Sequence, residues 1–226
     1  MNFIESIKSS KALNRDHMTL RVILTVFGVL LCGVAVGFSR YAAFGVDPFT
    51  VLMSGLDALI PIRYGTLYVI VNAVLLLFSL IFDRHYIGLG TIINLFFLGY
   101  VTEFTHKILS DLFPTPYIGI RIVVLILGIL LICIALALYM TADLGVSTYD
   151  AVALIIVNTW HIGKFGYMRI ITDITVIVLG IICYAFTGNS LAGLTAFIGI
   201  GTIITAFFMG PFVEFISNRF IKKLFK

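Results

Sequence analysis

Arg169 and Asp173 stand four residues apart inside an apolar run that begins at Phe165. On a helix that spacing puts both side chains on one face. A charge at bilayer depth is costly, so such a residue faces a cavity or a partner. Two roles fit the pair. It is either a bridge that fixes helix packing, or a carboxylate that couples to a proton or cation or contacts a solute. The matching place in the first half of the chain carries Asn72, with Tyr68 where Arg169 stands. One acid opposite one amide suits a single coupled ion better than two.

A second set of polar residues lies where two short apolar segments begin. One entry reads Gly45-Val46-Asp47-Pro48-Phe49-Thr50 and the other Gly145-Val146-Ser147-Thr148-Tyr149-Asp150. Asp47 suits an N-cap with Pro48 at the first helical position. Ser147 with Asp150 three residues later has the spacing of a capping box. Helix N-termini at membrane depth present unpaired N–H groups and the positive end of the dipole, and broken helices use them to hold carboxylates or other anions. The plainer alternative is an ordinary cap at a tight hairpin. Glu103 and Glu214 form a third set, late in a repeated helix. A gate is the functional expectation for them, and an interfacial or packing role is the alternative.

The elements that position these residues are read from a duplication. Residues 87–104 (IGLGTIINLFFLGYVTEF) and 198–215 (IGIGTIITAFFMGPFVEF) are identical at 11 of 18 aligned positions, including G-x-G-T and the glutamates. Residues 23–46 align over 123–146, 48–60 over 148–160, and the pairs Tyr64-Gly65 and Phe165-Gly166 open matching helices. The glycines of the repeated helix are expected to let helices pack closely. The resulting organisation is a basic N-terminal segment (1–21), repeat 1 (22–104), a linker (105–118), repeat 2 (119–216) and a basic tail (217–226). Each repeat holds four helical segments, the second of them short. The fold class is an all-α polytopic membrane protein with an internal duplication and about eight helical segments.

Composition supports the membrane reading. Hydrophobic residues make up 61% of the chain and charged residues 12%, against about 25% charged in a soluble domain. Mean hydropathy is +1.13. The apolar runs are near-continuous and do not alternate with period two, which selects helices over a barrel. No nucleotide, haem or zinc motif is present, and Cys32, Cys133 and Cys183 lack metal-ligand spacing. The expectation is therefore no metal, no cofactor, no ATP-driven pumping by this chain and no nucleic-acid partner.

Basic residues cluster at both ends: Lys8, Lys11, Arg15 and Arg21, then Arg219, Lys222, Lys223 and Lys226. The positive-inside rule places both termini in the cytoplasm. A helix of about 13 residues reaches about 20 Å, short of a hydrocarbon core of about 30 Å. If the short segments cross, there are eight crossings and parallel repeats. If they turn back, there are six crossings and inverted repeats. Counting Lys and Arg inside against outside gives 13 to 2 for eight crossings and 11 to 4 for six. The count favours eight, with the linker inside. Arg40, near the end of the first helix, reads as a snorkelling side chain.

The G-V-D-P-F entry, its echo G-V-S-T-Y-D and the aromatic–Gly helix start resemble the YczE/YitT-type bacterial inner-membrane proteins, over roughly residues 22–216. Members often carry L-G-x-x-P-W-D after their first helix. This chain divides that pattern: Pro48 stands in one half with Thr50 in place of the Asp, and Asp150 in the other with Thr148 in place of the Pro. The resemblance implies a small multi-pass protein of the bacterial plasma membrane and names no solute.

The function expected from the residues is secondary transport of a small solute, proton- or cation-coupled, at a central site between the repeats. That site draws on Asp173, Arg169, Asp47, Ser147, Asp150 and Asn72. The alternative is a membrane-embedded accessory or scaffold protein acting on a partner enzyme or permease. An enzyme is not expected, since no Ser/His or Cys/His arrangement stands at bilayer depth. Besides the lipid bilayer and the solute, assembly into a homo-oligomer is left open.

Overall fold

The computed structural model describes residues 18–163, 165–188 and 191–225. The basic segment up to residue 17, Lys164, Lys226 and the side chain of Glu214 lie outside the described residues. Among the described residues eight helical elements carry the fold. They are α1 (Met18–Ala42), α2 (Pro48–Leu59), α3 (Tyr64–Phe82), α4, α5 (Ile118–Ala142), α6 (Thr148–Asn158), α7 (Phe165–Ala185) and α8 (Ile200–Arg219). Helix α4 runs as Leu89–Ile93, a π-helical turn at Asn94–Leu98, and Gly99–Leu112. Four stretches, Met18–Ala42, Tyr64–Phe82, Ile118–Ala142 and Tyr167–Ala185, are long and apolar enough to cross a membrane. Their outer faces carry exposed Ile70, Val74, Leu77, Ile170 and Ile174, as lipid-facing helices do.

Helices α1 and α5 form the centre, and they run antiparallel. The Cα of Gly28 faces Ala135 and Tyr139, while that of Gly128 faces Ala35 and Ser39. At one end Arg21 donates to the Ala142 carbonyl (3.2 Å); at the other Arg121 donates to the Ala42 carbonyl (2.8 Å). Glycine at both crossings removes the Cβ that would hold the backbones apart. Helix α4 instead runs parallel to α1. Gly33 lies against Leu98 and Val101, Gly37 against Thr102 and Thr105, and Tyr41 at the end of α1 donates to Phe113 just past α4 (2.7 Å).

The short helices do not continue in the direction of the helix before them. Helix α5 ends beside Arg21. Helix α6 then begins deep, where the Thr148 hydroxyl donates to Asn72 midway along α3 (2.5 Å). It ends where Asn158 donates to Tyr86 (2.9 Å) and Thr159 to Asp83 (2.8 Å), past the end of α3. That is the end at which α5 stopped. Helix α2 behaves likewise. It starts with Phe49 stacked on Tyr149 (5.0 Å) and returns toward Arg40, which pairs with Asp57 at 2.7 Å. Both therefore run back toward the end of the bundle at which the preceding helix finished, as a re-entrant segment does, rather than onward as the eight-crossing, parallel expectation has it. With 12 and 11 residues, each is about 17 Å long. That suffices to climb out of a cavity but not to cross.

Tight turns make the re-entry. After α1 the chain passes through Ala43 (φ 51°) and Gly45 (φ 103°); after α5 it passes through Asp143 (φ 53°) and Gly145 (φ 107°). Glycine is the residue for the second position of each pair. These loops dock on the repeated helices, and this is where the G-x-G-T motifs act. Gly90 donates to Leu144 O (2.8 Å), and the Val146 amide donates to Tyr86 O (3.1 Å). Across the molecule Gly201 donates to Phe44 O (2.9 Å), and Val46 donates to Phe197 O (2.9 Å). Thr91 donates to Val146 O at 2.6 Å. A Cβ at Gly45 or Gly145 would meet the amide of Gly199 or Gly88 at 2.6 Å. Gly88, Gly90, Gly199 and Gly201 therefore seat a loop backbone, whereas Gly99 lies against Tyr68 of α3, in line with the helix-packing expectation.

Candidate functional site

The buried N-termini of α2 and α6 open onto one cavity of about 470 Å³. Its upper wall consists of Cys32 and Val36 of α1, the α2 start, and Tyr68, Asn72 and Asn94. Its lower wall follows α5 and α8 down to Met140, Asp143 and Val213. The cavity thus extends from mid-depth toward the end of the bundle where α1 begins and α5 and α8 finish. Toward the other end it is covered. Arg40 binds Asp57, and its guanidinium lies 3.7 Å over the Tyr64 ring. Arg40 does not snorkel: only 15% of its side chain is exposed. Nearby, Glu103 accepts from Arg63 Nε (3.0 Å) and from the Gly65 amide (3.1 Å), so it closes the start of α3.

Arg169 is the hub of the lower half. It forms ion pairs with Asp150 and with Asp173, the latter at 3.2 Å, and its guanidinium lies 4.6 Å from the centre of the Tyr149 ring. Tyr149 donates its hydroxyl to Asp173 (2.5 Å). Asp150 also accepts from Ser147 (2.7 Å) and Tyr139 (3.3 Å). The i, i+4 pair read from sequence is therefore three-cornered. Asp150, 19 residues before Arg169, is a partner that spacing along one helix does not show.

The caps differ from the expected anion sites. Ser147 accepts from the Asp150 amide (3.1 Å), one half of a capping box. The carboxylate of Asp150 turns to Ser147 and Arg169 rather than to the cap backbone. Asp47 accepts from both the Thr50 amide (3.1 Å) and the Thr50 hydroxyl (2.6 Å). The positive end of each helix already has an acid beside it.

Asn72 is buried at 1% exposure, donates to Tyr68 O (2.9 Å) and accepts from Thr148. Six sequence-selected residues thus line one cavity: Asp47, Asn72, Ser147, Asp150, Arg169 and Asp173. Glu103 is not among its lining residues. The residues that sequence reasoning missed are the aromatic wall, Phe49, Tyr68, Tyr139 and Tyr149, together with Asn94, which accepts from Tyr68 (3.0 Å) inside the π turn. Phe49 and Tyr149 hold the same place in the two aligned entries, a signal that was available. Among the described residues no group of three or more His, Cys, Asp and Glu side chains is placed to hold a metal.

Residues 19–218 match the model of a family described as a family of unknown function (DUF6198). Two curated relatives align over most of their length. An "Uncharacterized protein" of Haemophilus influenzae is 28% identical over 204 residues, 90% of this chain and 85% of the relative. An "Uncharacterized membrane protein YczE" of Bacillus subtilis is 24% identical over 213 residues, 93% and 91% respectively. No solved structure matches.

Proposed function

We propose that this chain, which belongs to the family of unknown function DUF6198, is a secondary transporter of a small solute. The observation that carries the proposal is the cavity itself: two short helices start at its middle, and an Arg–Asp network sits inside it. Discontinuous helices meeting at mid-depth are the usual setting of transporter sites. The reading takes the chain as two copies of one four-helix unit, supported by contacts that recur at matching positions, such as Arg21 with Ala142 and Arg121 with Ala42. Since α1 and α5 run antiparallel, the copies are inverted, with three crossings and one re-entrant helix each. No group in the cavity is proposed to act as an enzyme.

The bilayer proposed is a bacterial plasma membrane, with both termini in the cytoplasm as the basic tails require. The cavity then faces inward, and the Arg40–Asp57–Tyr64 cluster and the Arg63–Glu103 pair form the outer cover. Alternating access would open that cover. Purified protein in liposomes should move a solute, and a proton gradient should drive its accumulation. If no solute moves in any gradient, the protein acts instead as an accessory to a partner enzyme or permease.

Orientation gives a sharp prediction. Thr115 lies in the exposed turn between α4 and α5, and Arg84 is exposed just past α3. In a background lacking Cys32, Cys133 and Cys183, cysteine at Thr115 should react with an impermeant maleimide added to sealed cells. Cysteine at Arg84 should react only after permeabilisation. The reverse pattern, or protection of both, would rule out the inverted arrangement with both termini in the cytoplasm.

The outer cover gives another. Val36 lines the upper cavity, and Asp57 holds Arg40 over Tyr64. In the same background, cysteine at Val36 should be shielded from an external impermeant reagent. Adding Asp57→Asn should make it reactive, because one member of the covering pair loses its charge. Shielding that persists in the double variant would show that Arg40–Asp57 is packing and not a gate.

A further inference from the structure

We propose that the solute taken by this cavity is a small organic cation, an amine or quaternary ammonium with an apolar body. This rests on the transporter reading and names its substrate class. Four carboxylates line the cavity, Asp47, Asp143, Asp150 and Asp173, and Arg169 is the one Lys or Arg side chain among its lining residues. Arg169 is already engaged by Asp150 and Asp173. The Asp47 carboxylate accepts from the Thr50 amide and hydroxyl, and among the described residues it has no ion pair. An acid without a counter-cation, facing a cavity with largely apolar walls, favours a positive ligand.

The aromatic wall points the same way. The negative face of a ring attracts a cation, and this wall already holds one: the Arg169 guanidinium lies over Tyr149, between two carboxylates. Phe49 occupies the place in half one that Tyr149 occupies in half two, and it stacks on Tyr149 with Tyr68 edge-on at 5.9 Å. Tyr68 stands where half two has Arg169. Half one therefore offers the ring and the acid with no internal guanidinium, and the ligand's ammonium takes that place. The apolar body fits against Leu98, Ile132, Leu136 and Met209. An anion would meet the same carboxylates as repulsion, and the helix N-termini that could have welcomed it carry Asp47 as the cap of α2 and Asp150 in the first turn of α6.

The test compares three probes of one shape on purified full-length protein: phenylethylammonium, 2-phenylethanol and 3-phenylpropanoate. Calorimetry should show saturable binding of the ammonium, at least about tenfold tighter than the alcohol, and no binding of the carboxylate. Asp47→Ser keeps a capping hydroxyl and removes the charge. It should weaken ammonium binding about tenfold or more and leave the alcohol unchanged. Equal or tighter binding of the alcohol or the carboxylate, or no binding of the ammonium, overturns the cation assignment whatever the variant does. Flux is read separately in liposomes. Ammonium that binds but does not cross would sink the transporter reading and leave the cation site standing. Flux of the carboxylate would do the opposite.

Discussion

Replacing Arg169 with methionine should destabilise the protein by about 3 kcal/mol, the low end of the cost of removing one partner from a buried ion pair. The low end applies because a quarter of the Arg169 side chain meets the cavity (25% exposed). Two carboxylates, 13% and 15% exposed, would be left facing one another without their cation. The measure is the melting temperature in detergent, expected to fall by several degrees. Arg169→Lys should recover only part of the loss. A lysine is a point charge, and it cannot serve two carboxylates and lie flat on the Tyr149 ring as a guanidinium does. The decisive comparison is rescue. Arg169→Met combined with Asp150→Asn and Asp173→Asn removes the uncompensated charges, and most of the stability should return. If Arg169→Met alone melts as the wild type does, the hub is not what holds α6 to α7.

Much of this site was legible in the chain, and the reasons for success and failure are physical. The repeated G-x-G-T and the matched entries at Asp47 and Ser147 were visible because both need particular residue types: glycine at positive φ or at close approach, and a side-chain oxygen at a cap. Arg169 and Asp173 were visible because charge at that depth is rare. Asp150 was found as a cap but not as the partner of Arg169, since that pairing depends on how α6 meets α7. The docking partners of Gly88, Gly90, Gly199 and Gly201 are hidden for a similar reason. These glycines touch loops at 143–146 and 43–46, more than 50 residues away or in the other half, and no local pattern announces that.

The direction of the short helices is not legible in the chain. Their length leaves crossing and re-entry both open, and the count of Lys and Arg favours crossing. The contacts of the arginines take weight from that count. Arg40 is bound by Asp57, Arg63 by Glu103, and Arg121 by the carbonyls of Ala42 and Ala43 with its guanidinium 4.3 Å from the Phe44 ring. These arginines are committed to partners at the ends of helices. They report on closure of the bundle more than on the side of the membrane.

Asp173→Asn should abolish gradient-driven accumulation while leaving a folded protein. The scaffold already accepts an amide at the matching place, since Asn72 is fully enclosed and hydrogen-bonded. In the variant the amide oxygen can still accept from Tyr149, and Arg169 keeps its ion pair with Asp150. What is lost is the capacity to exchange a proton or to balance a cation, because an amide has the shape of a carboxylate without its titration. The variant should therefore be purified in normal yield and equilibrate solute down its own gradient, yet show no uphill accumulation when a proton gradient is imposed. The same measurement on Asn72→Asp should not create a second coupled ion, because Tyr68 stands there in place of the arginine that would hold the new charge. Should Asp173→Asn accumulate solute as the wild type does, per folded molecule, the Arg169–Asp173 pair serves packing alone. Asp47 and Asp143 would then be the acids to test for coupling.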